Sequence, residues 1–70
     1  MEFKLHVNLD NAAFNDEFTG EPAQGYELAR ILRSLADYVE NFYPDTLDGF
    51  ERNILDVNGN RVGRAETVED

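Results

Sequence analysis

The sequence predicts an α+β fold, a two-layer sandwich in which one long helix packs on a three-stranded sheet in the order β-α-β-β. Three observations predict it: alternating apolar and polar residues over 2–9, an amphipathic helical stripe over 28–42, and two strand-like segments around an Asn-Gly pair over 53–68. A chain of 70 residues forms one domain, expected to span 1–70 with a frayed tail over 67–70.

The first strand is predicted by a hydrophobic period of two. Apolar Phe3, Leu5, Val7 and Leu9 alternate with polar Glu2, Lys4, His6 and Asn8. Such an alternation places one face of a strand on a core and the other face in water. It is typical of antiparallel or mixed sheets rather than of a fully buried parallel sheet.

Residues 10–21 are expected to form a structured loop or a short helix. Phe14 and Phe18 stand four residues apart, so a helical turn would bring both rings to one side. Asp10 or Asn11 can cap such a turn, because both side chains accept backbone N–H bonds. Both rings are therefore predicted to anchor the core.

Residues 22–43 carry the long helix, and Pro22 suits its first position. Apolar side chains recur at the i, i+3, i+4 and i+7 spacing of a helix that buries one face. They are Leu28, Ile31, Leu32, Leu35, Val39 and Phe42. Glu27 and Arg30 fall on the opposite face, where we expect a weak surface ion pair. Pro44 cannot continue the helix.

The second and third strands are predicted to form a hairpin. The Asn-Gly pair at positions 58 and 59 is preferred in a type I′ turn, in which both central residues have positive φ. With that turn, Asp56 would face Arg61 across the hairpin. A slip by one residue would instead pair Val57 with Val62.

Two further features concern the connections of the strands. In the first of these registers Gly63 would face Ile54, where a glycine permits a bulge or a close approach of another backbone. The connector over 44–52 is rich in turn residues, and Leu47 and Phe50 are expected to reach the edge of the core. The pattern leaves open whether the first strand lies beside the second strand or the third.

Composition excludes several classes of protein. Six Lys and Arg stand against fifteen Asp and Glu, a formal net charge of −9, so we expect no direct binding to nucleic acid. The chain has no Cys, which excludes a disulfide framework and favours a cytoplasmic setting. No apolar run approaches the roughly 18 residues of a membrane span, so no membrane partner is expected.

Few residues have the chemistry for catalysis or metal binding. His6 is far in sequence from Ser34, so no nucleophile and base are predicted to meet. Asp56, Asn58 and Asn60 resemble the start of a calcium loop, but the loop's Gly and Glu are missing, and the hairpin accounts for all three residues. The sequence therefore predicts a protein that is not an enzyme and binds neither a metal nor a cofactor.

The acidic residues concentrate in the two segments that flank the helix. One group is Asp10, Asp16, Glu17 and Glu21, and the other is Asp45, Asp48 and Glu51. A negative field attracts basic surfaces and speeds encounter with them. These seven residues, with Tyr43 as an aromatic anchor, are the predicted partner-binding residues. The alternative is that the charge serves solubility alone.

Three segments resemble a widespread group of small uncharacterised proteins encoded by bacteriophages, prophages and related mobile elements. They are LDNAAF over 9–14, ELARILRSLAD over 27–37 and DVNGNRVG over 56–63. The resemblance implies a phage setting and an intracellular host context. It implies no activity, and no functional residue is carried over from it.

The leading hypothesis is a small acidic, non-enzymatic interaction protein of phage type. It would act in the host cytoplasm by binding a basic surface of a host or phage protein, and it would block a nucleic-acid-handling or defence enzyme. The alternative is a structural or assembly adaptor that binds through an apolar interface, as a homodimer that buries Tyr38 and Phe42.

Overall fold

The computed structural model describes residues 1–69 and confirms the predicted α+β architecture. Three strands, one long α-helix and one short 3-10 helix follow in the predicted order. They are β1 (Glu2–Val7), the 3-10 helix (Ala12–Phe14), α1 (Gln24–Phe42), β2 (Glu51–Leu55) and β3 (Arg61–Val68). The helix packs on one face of the sheet, as the apolar stripe and the alternating strands predict.

The strand order is β1-β3-β2, and both neighbouring pairs are antiparallel. The first strand therefore lies beside the third, the choice that the sequence left open. The hairpin of β2 and β3 has two free edges, and β1 joins the one on β3. As a result β1 and β2 run in the same direction and form the two edges of the sheet.

The core lies between α1 and the sheet. Ile31 and Leu35 of the helix meet Ile54 and Ala65 of the strands. Phe14 and Phe50, both in connecting segments, are the two largest side chains that are completely buried. The segments before and after the helix thus each contribute one ring to the core, and this fixes the helix over the sheet.

Gly63 lies at the point where three strands come closest. It faces Ile54 on β2, as predicted, and Val7 on β1. A Cβ atom at this position would overlap the carbonyl oxygen of His6 and would lie 3.0 Å from the Cα of Val7. The predicted close approach of another backbone is therefore confirmed, and only glycine fits at this position.

The hairpin turn differs from the prediction. Gly59 has a φ of 85°, and no other residue over 56–60 has a positive φ, so the turn is not type I′. The Gly59 N–H donates to the Asp56 carbonyl (3.0 Å) and the Asp56 N–H donates to the Asn60 carbonyl (2.8 Å). This pattern is a type I turn followed by a left-handed glycine.

The first predicted register therefore holds up to Ile54, which pairs with Gly63, and fails beyond it, and the alternative that pairs Val57 with Val62 is wrong. Leu55 pairs with Arg61, and a register shift falls between Ile54 and Leu55. The turn is one residue longer than a type I′ turn, and the extra residue is absorbed by this irregularity. Asp56 therefore faces Asn60 rather than Arg61.

Two predicted core aromatics are exposed. The side chain of Phe18 is 88% exposed, because the 3-10 helix ends at Phe14 and the chain turns back instead of completing a helical turn. Phe42 is the last residue of α1 and is 68% exposed. Its ring packs on the Tyr38 ring, with ring centres 4.9 Å apart, rather than in the core. In both cases the apolar spacing did not predict burial, because the backbone does not carry these rings to the core.

The ends of two elements also differ from the prediction. The helix begins at Gln24 rather than at Pro22, which forms an isolated bridge with Asn15. The fraying expected from Thr67 is wrong for Thr67 and Val68, which belong to β3. The N–H of Thr67 donates to the Phe50 carbonyl (3.0 Å) and its hydroxyl to the Leu47 carbonyl (2.6 Å), so the strand end is held. Asp70 lies outside the described residues.

Candidate protein-binding surface

The predicted partner-binding residues do not form one surface. They are Asp10, Asp16, Glu17, Glu21, Tyr43, Asp45, Asp48 and Glu51. The first group precedes α1 and the second follows it, and a helix of 19 residues spans about 28 Å. The two acidic groups therefore lie at opposite ends of an elongated molecule that measures 42 × 23 × 17 Å.

Glu51 of the second group and the predicted aromatic anchor Tyr43 both have partners within the fold. The carboxylate of Glu51 accepts a hydrogen bond from the Arg64 guanidinium (2.8 Å), which offsets its charge. Tyr43 is half-buried, and its ring meets the Phe50 ring edge-to-face with centres 5.0 Å apart. Asp45 and Asp48 are exposed and form no ion pair within residues 1–69.

Three residues of the first group, Asp16, Glu17 and Glu21, lie in a closed loop over residues 15–22, which we call the Phe18 loop. Its ends are joined by the bridge between Asn15 and Pro22. Inside it, the N–H of Asp16 donates to the Glu21 carbonyl (2.7 Å), and the N–H of Gly20 donates to the Asp16 carbonyl (2.8 Å). Gly20 has a φ of 73°, which glycine adopts without strain.

The side chain of Asp16 holds the tip of the Phe18 loop. Its Oδ1 accepts hydrogen bonds from the N–H groups of Phe18 (2.8 Å) and Thr19 (3.0 Å). These two bonds hold the pKa of the Asp16 carboxyl below its usual value, because they stabilise the charged form. Asp16 therefore organises the loop while its side chain stays exposed, as those of Glu17 and Glu21 are.

The Phe18 loop presents an aromatic ring beside acidic side chains. Phe18 is exposed at the tip, Glu17 and Glu21 are exposed in the same loop, and Asp10 is exposed ahead of the 3-10 helix. None of these three acids forms an ion pair within residues 1–69. Phe18 was predicted to anchor the core and not to lie at the surface. The Asp at position 16, followed by Thr19-Gly20, is the turn signal that could have identified it as a surface residue.

Two carboxylates, those of Glu27 and Asp56, are buried where α1 meets the hairpin. Glu27 is only 6% exposed, which corrects the prediction of a surface ion pair. Its Oε2 accepts the N–H of Val57 (2.7 Å), and its two oxygens accept the Arg30 guanidinium (2.7 and 3.1 Å). Asp56 accepts the N–H groups of Asn58 and Asn60 (2.9 and 2.8 Å) and thereby closes the turn.

The electrostatics of Glu27 suit a structural role. Its pKa is lowered, chiefly because the Arg30 guanidinium donates to it and because the Val57 N–H also favours the charged form. A general acid requires the opposite shift. Glu27 therefore remains a carboxylate and ties the first turns of the helix to the hairpin.

Low pH should weaken the link that the Glu27 carboxylate makes between the helix and the hairpin, and the loss of stability can be measured. Because the pKa of Glu27 lies below its ordinary value of 4.5, its carboxylate stabilises the fold above about pH 4.5. That contribution is lost as the pH falls through the lowered pKa. We expect the free energy of unfolding of the native chain to exceed that of Glu27→Gln at pH 7, and the gap to narrow at pH 3. Urea unfolding at both pH values measures the gap, and a constant gap would contradict the assignment.

No family model, no curated protein and no solved structure matches the chain. The resemblance to phage proteins stays a prediction. Over residues 1–69, no helix is both long enough and apolar enough to cross a membrane.

Proposed function

We propose that this chain is a non-enzymatic protein-binding domain that uses the Phe18 loop to bind a basic surface of another protein. In the phage setting predicted above, the partner is a host enzyme that handles nucleic acid, and binding blocks its basic groove. The observation that carries the proposal is the almost complete exposure of Phe18 on a loop whose backbone is held in place.

The exposed ring supplies binding energy. Burial of a phenylalanine side chain contributes roughly 1.5–3 kcal/mol, so an exposed ring gives up that stabilisation until a partner covers it. The hydrogen bonds that Asp16 accepts fix the loop before binding. A loop that is already ordered loses little conformational entropy on binding, and this favours affinity.

The carboxylates determine the class of partner. Glu17 and Glu21 stand in the same loop as Phe18 and are exposed, in a chain of net charge −9. Binding energy in protein interfaces concentrates in a few central side chains, and charged residues belong to the polar rim around them. The acids would steer the domain toward a basic surface, and the ring would enter an apolar depression on it.

The other end of the molecule provides a matched control. Asp45 and Asp48 are also exposed, and so is the ring of Phe42 at the C-terminal end of α1. That ring packs against Tyr38, so part of its apolar surface is already used within the fold. Variants at this end change the same charge and ring without altering the Phe18 loop.

The experiment is capture of partners from host lysate, followed by titration of each partner with purified variants. We expect Phe18→Ser to weaken binding at least tenfold and Glu17→Lys/Glu21→Lys to slow association. Phe42→Ser and Asp45→Lys/Asp48→Lys should bind as the native chain does. Binding should weaken as salt rises. Equal capture by all variants, or affinity independent of salt, would contradict the proposal.

A different feature favours the alternative, a structural adaptor with an apolar interface. An apolar groove lies between α1 and β1, with Leu32 on one side and Phe3 on the other. These two side chains are 43% and 44% exposed. The capture experiment separates the two functions, because an adaptor of this kind would bind its partner independently of Phe18.

A further inference from the structure

The outer edge of β1 has regular backbone geometry that is available for pairing. From Glu2 to Val7 the strand pairs with β3 without a register shift. Asn8 continues this register, since its N–H donates to the Val62 carbonyl (2.7 Å). In an antiparallel pair every second residue directs its N–H and C=O to the same neighbour. Even-numbered residues of β1 therefore face β3, and Phe3 and Leu5 direct their backbone groups to the open edge.

The opposite edge of the sheet is less suited to pairing. Strand β2 has five residues and contains the register shift at Ile54 and Leu55. Its Leu55 carbonyl already accepts a hydrogen bond from the Arg30 guanidinium (3.2 Å). Edge strands avoid association when they are short, when their pairing is irregular, or when a charged side chain covers their backbone groups. The outer edge of β1 lacks the register shift and is the longer of the two edges.

The charges on β1 are self-complementary in one register. If two β1 strands pair antiparallel with Phe3 opposite Phe3, Glu2 of each copy lies opposite Lys4 of the other. Opposite charges that face each other across strands are stabilising. Strand β1 carries one acid and one base in a chain of net charge −9, so the strand itself adds little repulsion between copies at this edge.

We propose that a second copy of this chain pairs with the β1 edge and forms a six-stranded sheet. Odd-numbered residues face odd-numbered residues in this register, so both helices lie on the same face of the joint sheet. The apolar grooves of about 310 Å³ then lie next to each other across the two-fold axis. The dimer would cover the exposed parts of Phe3 and Leu32, which the monomer leaves in water.

A charge swap tests the pairing. Sedimentation equilibrium of the full chain at about 0.15 M salt should show dimers whose fraction rises with concentration. Glu2→Lys and Lys4→Glu should each weaken dimerisation at least tenfold, because each places like charges opposite one another. The double variant Glu2→Lys/Lys4→Glu should restore it. The proposal would be overturned by a chain that stays monomeric at millimolar concentration. It would also be overturned by a dimer whose dissociation constant is the same in all the charge variants.

Amide hydrogen exchange gives an independent measurement. The N–H groups of Phe3 and Leu5 point to the open edge, so they should exchange rapidly when the chain is dilute and slowly when it is concentrated. The N–H of Asn8, which is bonded within the chain, should not change. A dimer in which Phe3 and Leu5 exchange as rapidly as in the monomer would use another surface and would refute the β1 edge. Phe18→Ser should leave all these results unchanged, which separates this proposal from the proposed function.

Discussion

A Gly63→Ala variant is expected to be largely unfolded at 25 °C. The added Cβ would overlap the carbonyl oxygen of His6 and press on the Cα of Val7, and both are backbone atoms of the neighbouring strand. Neither can move without loss of the β1–β3 pairing. A domain of this size has roughly 4–10 kcal/mol of stability, and displacement of a whole strand removes most of it. Circular dichroism during thermal unfolding measures the loss.

Gly25→Ala is the matched control for this variant. Gly25 lies in the first turn of α1, and a Cβ there would have no atom within 4 Å. Alanine favours the helix by about 1 kcal/mol over glycine, so the melting temperature should rise by several degrees. A Gly63→Ala chain that melts within a few degrees of the native chain would contradict the close approach of the strands.

Glu27→Ala is expected to lower the free energy of unfolding by about 2–4 kcal/mol. The substitution leaves the Val57 N–H without its acceptor and the Arg30 guanidinium without its carboxylate. Loss of one partner from a buried hydrogen-bonded pair is much more destabilising than loss of a surface pair. The partial exposure of Arg30 keeps the expected value at the low end for buried pairs. Urea unfolding at pH 7 measures the change.

Glu40→Ala is the control on the same helix. Glu40 is exposed, so its removal should change stability by no more than about 0.5 kcal/mol. A loss for Glu27→Ala as small as that for Glu40→Ala would mean that the carboxylate does not join the helix to the hairpin.

The two proposed surfaces are compatible. The Phe18 loop lies at the end of the molecule where β1 leads into α1, whereas the proposed dimer uses the side of the sheet along β1. A dimer would therefore present two Phe18 loops. Two linked sites can bind a partner with two basic sites more tightly than one site does.

Sequence patterns were reliable where neighbouring residues determine the structure. The alternation around Leu5 predicted β1, the spacing of Ile31 and Leu35 predicted the buried face of α1, and Gly63 was correctly placed opposite Ile54. The same patterns failed for Phe18, because a period of four has meaning only where the backbone is helical.

The candidate site was only partly predictable for a related reason. The acidic groups were visible in the sequence as two clusters that flank the helix, but the length of α1 places them at opposite ends of the molecule. Glu27 has the sequence context of an exposed helical residue. Its burial follows from the Val57 N–H, which lies 30 residues away in sequence and needs an acceptor.

The sequence by itself determined which segments form strands and helix, since the period of apolar residues reflects contacts within each element. It also determined the net charge and the absence of thiol chemistry. Only the tertiary structure decided the strand order, the form of the hairpin turn, and the positions of Phe18 and Glu27. The strand order, the turn and these two positions depend on which backbone groups and surfaces still lack a partner after the elements have packed. A pattern of neighbouring residues does not contain that information.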